Sequence, residues 1–138
     1  MRQLQALSLA VCLGLGMGPS PLLAAAYDGS VPLLCAVIEV FDCQVAGDCQ
    51  RGTADSVNLP QFLKIDVNAK TLSTTEEGEG KRVTPIKNFE RVEGHMILQG
   101  AEGGRAWSMV IATETGKVSA SVSDNQVGFV VFGACTPL

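Results

Sequence analysis

The placement of the cysteines constrains this chain more than any other feature. Cys35, Cys43 and Cys49 fall within fifteen positions, Cys135 stands alone near the end, and a fifth, Cys12, lies in an apolar stretch at the start. That start, MRQLQALSLAVCLGLGMGPSPLLAAAYDGS, has a basic beginning at Arg2 and an apolar run from Leu7 to about Met17. Small residues, Ala24, Ala25 and Ala26, then precede the polar Tyr27 and Asp28. So short a run ending in an A-x-A pattern predicts a secretory signal over residues 1–26, cleaved after Ala26. A membrane anchor would need about 20 apolar residues without breakers, and Pro19 and Pro21 interrupt this one. Val11, where a small residue is expected, argues against lipidation at Cys12. Cleavage leaves 112 of the 138 residues, one domain over 27–138.

Four cysteines then remain, an even count in a short exported domain, which reads as a disulfide framework. A zinc site would call for paired C-x₂₋₄-C spacings or histidine companions. The spacings here are wider, and His95 is the only histidine. C-x-x-C and C-x-x-C-H are both absent, which removes thioredoxin-like and c-haem readings. The expected localisation is periplasmic or secreted.

The pairing depends on the fold. Leu33 to Phe41 is a mostly apolar run of β formers, and Phe62 to Leu72 alternates, with Leu63, Ile65, Val67 and Ala69 on one face. The acidic stretch TTEEGEGKR, 74–82, reads as a mobile hairpin tip, because its carboxylates lack a calcium-loop pattern. Segments near 83–89, 95–99, 105–113, 117–123 and 127–134 follow, separated by RVEG, GAEGG, TETG and SDNQ. Short strands at such spacing predict an all-β antiparallel meander. About seven or eight strands must hide their edges, which predicts closure into a small barrel; a β-sandwich is the alternative. If the first and last strands close the barrel antiparallel, Cys35 meets Cys135. On one extended strand Cys35 and Cys43 would lie roughly 26 Å apart, beyond bonding reach, whereas Gly47 lets the chain between Cys43 and Cys49 turn back. The expected bonds are therefore Cys35–Cys135 and Cys43–Cys49.

Charge narrows the partners. Arg2 leaves with the signal, so nine basic residues face fourteen acidic ones, a net charge of −5. That argues against nucleic acid and anionic membranes, and no second apolar stretch predicts membrane insertion after cleavage. No G-x-S-x-G, phosphate loop, metal-ligand cluster or cysteine with an evident base is present, so no catalytic residue, metal or cofactor is expected. Glu39, Asp66 and Glu102 are carboxylates that only the fold could bring together.

Two regions are candidates for binding. In GRAWSMVIAT, Trp107, Met109 and Ile111 share one strand face, and Arg105 extends it toward a possible pocket mouth. Trp107 is expected in the core, with a ligand-stacking role as the alternative. Segment 43–61 is the longest irregular stretch, with one helical turn at most, and it is pinned by a disulfide. Asp48, Gln50, Arg51 and Asp55 are its contact candidates, and Arg51 can make bidentate contacts. The alternative is that this segment plugs a barrel end or covers the last strand, VGFVVFGAC, which is apolar on both faces. Gln99 is a possible inward polar group, and His95 a strand-edge residue.

NLPQF, LQG, RAWSMVI, the G-x-x-S-x-S turn and strand at 116–121, and the final FGAC together resemble small exported bacterial β-proteins of unassigned function. In architecture the meander resembles lipocalin-like barrels and periplasmic barrel inhibitors of lysozymes and proteases, without the early G-x-W of lipocalins. The resemblance implies a binding module for a small ligand or a protein, or an inhibitor or structural subunit acting through a loop or an apolar strand.

Overall fold

The computed structural model describes residues 27–76 and 80–138; the expected signal, 1–26, and Cys12 lie outside them, as does the tip of the acidic loop. Ten strands follow one another: β1 (Leu33–Gln44), β2 (Gln50–Gly52), β3 (Phe62–Asp66), β4 (Thr71–Thr74), β5 (Val83–Pro85), β6 (Asn88–Val92), β7 (His95–Glu102), β8 (Arg105–Ala112), β9 (Lys117–Ser123) and β10 (Val127–Pro137). One 3-10 turn, Asp55–Val57, breaks the loop after β2. The strands form a single antiparallel sheet in the order β5-β4-β3-β1-β10-β9-β8-β7-β6, with β2 added to the far half of β1. All-β and antiparallel stand as expected; two stacked sheets do not occur.

The sheet is an open half-barrel, which corrects the expected closed barrel. First and last strands do pair, β1 with β10, but they lie in the middle of the sheet, whose edges are β5 and β6. These edges are consecutive in the chain. β5 is three residues long and ends in Pro85, which has no N–H to give a second ladder. At the corner Ile86 N–H bonds Lys70 O and Lys87 N–H bonds Gln99 O, each at 2.8 Å, so the chain leaves β4 for β7 in one step. Among the described residues no ladder joins β5 to β7, which leaves a seam.

Both expected disulfides are present, Cys35–Cys135 and Cys43–Cys49. Cys35 and Cys135 face each other directly in the β1–β10 register. A register shift between Val37 and Glu39 leaves Ile38 as a bulge. There β1 changes partner from β3 to β2, and Gln61 bridges the change by bonding Val37 through both its carbonyl and its side-chain amide. The single strand expected over Phe62–Leu72 is two, β3 and β4. Asp66 Oδ1 accepts from Ala69 N–H at 2.8 Å and Lys70 N–H bonds Val67 O, so an Asp-capped turn ends the alternation after Val67. From β6 onward the hairpins follow the expected turns.

Candidate functional site

Small domains usually hold one contiguous apolar core. Here the buried residues form two clusters, one around Leu33, Ile65, Met96, Leu98 and Ile111, the other around Val37, Val40, Ala54, Phe129 and Val131. Ala120 and Val122 of β9 touch both. Between the clusters lies a cavity of about 300 Å³. β9 explains the space: its inward residues Val118, Ala120 and Val122 are small, and they lie in register with Ile111, Met109 and Trp107 of β8. Ala120 also pairs with Val131, so a single methyl stands between two full-length neighbours.

Leu63 and Leu72 form the wall toward β3 and β4. The loop after β2 supplies the cap. Ala54 is buried in the second cluster, Val57 and Leu59 pack on it, and residues 57–60 line the cavity. Ser56 Oγ donates to Thr53 O at 2.7 Å, and Leu59 N–H bonds Ala54 O at 2.9 Å, which fixes the turn. This segment therefore walls one side of the cavity, with Asn58 meeting Arg82. It does not cover the outer face of β10, where Val130 and Phe132 are 38% and 43% exposed.

Trp107 is buried as expected and lines the cavity. Its indole lies flat over Gly100, its register partner on β7, where any Cβ would strike the ring. Its Nε1–H has no hydrogen-bond partner among the described residues. Two residues toward the mouth, Arg105 stacks over the Phe129 ring, 5.6 Å from its centroid, and donates to Asp124 Oδ2 at 3.1 Å. Asp124 is held in turn by backbone N–H groups of Gln126 and Val127, which with Arg105 lower its carboxyl pKa below the ordinary range. Glu102, opposite Arg105 in the register, reaches across the seam and accepts a hydrogen bond from the Thr84 hydroxyl. Arg82 completes the mouth, donating from both terminal nitrogens to Asn58 O at 3.4 Å.

Other candidates fall elsewhere. Arg51 sits on the outer surface, paired with Glu39 at 2.8 Å and stacked over Phe41 at 5.7 Å, away from the cavity lining. Asp48, Gln50 and Asp55 are exposed and do not line it. Gln99 points outward, because the inward phase of β7 runs through Met96 and Leu98, and its side chain meets Asn88. The three carboxylates each have a local partner: Glu39 has Arg51, Asp66 its own turn, Glu102 the Thr84 hydroxyl. His95 is exposed, beside Glu93 O. Among the described residues no group of three or more His, Cys, Asp or Glu could hold a metal, and no helix is long and apolar enough to cross a membrane.

Arg82, Asn58 and the small inward face of β9 were not singled out in the sequence. The V-x-A-x-V pattern opposite W-x-M-x-I was the available signal for a cavity. Two disulfides suit an oxidising compartment. Compared with known proteins, the chain matches no protein-family model, no curated protein and no solved structure.

Proposed function

We propose that this is an exported binding protein, periplasmic or secreted, that carries a small apolar ligand between its two core clusters and is not an enzyme. One observation carries the reading: an apolar-lined space of about 300 Å³, open at a mouth, between the two core clusters of a stapled domain. Ligand sites are concave, mostly apolar and largely preformed, starting near this size. Leaving such a space unfilled sacrifices packing contacts on every lining residue, so a domain that retains it has a use for it. The resemblance to small exported bacterial β-proteins agrees with export but assigns no ligand. The test is native mass spectrometry of the protein made with its leader and purified without denaturant. A released small molecule, absent from an Ala120→Leu variant of equal stability, supports the reading. Wild-type protein of chain mass alone that also takes up no xenon or benzene contradicts it.

A second reading, a protein partner as for an inhibitor or structural subunit, is favoured by the outer apolar strip of Ile38, Val130 and Phe132 on β1 and β10. Ala120→Leu leaves that strip intact, so partner capture unaffected by this variant would favour it.

A further inference from the structure

We infer that the ligand is an amphiphile whose carboxylate-like head lies at the mouth against Arg82, with its apolar body in the cavity. This rests on the cavity being a ligand site and adds the chemistry of the ligand. At the ~30 Å³ that a water-sized group occupies in a liquid, the space holds on the order of ten non-hydrogen atoms.

Arg82 defines the head. Its guanidinium meets only the Asn58 carbonyl, through two long bonds, and no carboxylate among the described residues. Arg105 is differently placed, its charge already matched by Asp124. Among the described residues Glu102 is the one carboxylate lining the mouth. It makes no ion pair with Arg82 and is engaged by Thr84 at the seam. A carboxylate head is therefore attracted by Arg82 and repelled by Glu102, both of which line the space. A guanidinium and a carboxylate make charge-assisted, often bidentate bonds, which an alcohol head cannot match.

The experiment titrates the folded protein with octanoate, 1-octanol and octylamine at neutral pH, by calorimetry and by emission of Trp107, the single tryptophan. Octanoate is expected to bind about tenfold more tightly than octanol, one charge-assisted bond's worth, and octylamine more weakly than either. Arg82→Ala should abolish the preference for octanoate over octanol, and Glu102→Gln should raise it. Arg82 and Glu102 are exposed, so both variants should keep the wild-type melting temperature. Binding of octanol equal to that of octanoate, or tightest binding of octylamine, overturns the head assignment while the cavity reading stands. No binding of any of the three overturns both.

Discussion

The two disulfides divide their labour unequally, and the structure sets by how much. Cys35–Cys135 closes a loop with a sequence separation of 100, Cys43–Cys49 one of only 6. In the chain-entropy model these restrict the unfolded chain by about 4.7 and about 2.3 kcal/mol respectively. Burial widens the gap, because Cys35 and Cys135 lie inside the first apolar cluster whereas Cys49 is exposed. Trimming two buried sulfurs to alanine removes further packing, roughly 1 kcal/mol in all. Replacing Cys35 and Cys135 with Ala should therefore destabilise by about 5–6 kcal/mol, against about 2–3 for Cys43 and Cys49. For a domain whose total stability is about 5–15 kcal/mol, the first loss approaches unfolding and the second does not. Urea denaturation checks this. With m of about 1.5 kcal/mol/M, the two double variants should differ in midpoint by more than about 1 M. Equal midpoints would refute the reasoning, showing that the β1–β10 ladder holds the chain ends without its staple.

Three further outcomes follow from single contacts. Gly133→Ala places a Cβ against the Ala36 carbonyl oxygen beside the β1 bulge; with backbone on the far side, the strands must part, and thermal unfolding should show a loss of about 1–3 kcal/mol. Gly100→Ala forces the Trp107 ring off its seat toward the cavity, so it should shift tryptophan emission and weaken binding of an apolar probe more than it lowers stability. Because the Asp124 pKa is depressed on folding, by the Gln126 and Val127 N–H groups first and Arg105 after them, its contribution is present above the ordinary carboxylate pKa. It is lost as the pH falls through the depressed value, below about pH 4. NMR titration of Asp124 and of the Arg105 Nε–H should show the contact opening in that window, and an unshifted Asp124 would contradict the geometry.

Cysteine pairing was legible because it depends only on reach and register, and β8 because alternation reports burial directly: Trp107, Met109 and Ile111 are inward as expected. Closure was not legible. It turned on Pro85 and on a corner between Ile86 and Lys87, where hydrogen bonds run to β4 on one side and to β7 on the other. The break between β3 and β4 was concealed by alternation that continues through Asn68, although Asp66 capping its own turn was the local sign. The mouth brings together Asn58, Arg82, Glu102 and Arg105 from four places in the chain, and no local pattern encodes that meeting. In the sequence Arg51 is a guanidinium on a pinned loop. β2 pairing with β1 instead sets it beside Glu39 on the outer face.

The most direct test of the central claim is a titration of Trp107 emission with octanol, run in parallel on wild type and Ala120→Leu. Leucine at position 120 would fill the space between Met109 and Val131 without disturbing either face of the mouth. Wild type should show saturable binding with a negative heat-capacity change, the mark of apolar surface leaving water. The variant should fold at least as stably and show none. Equal binding by both proteins would place the ligand elsewhere and contradict the account.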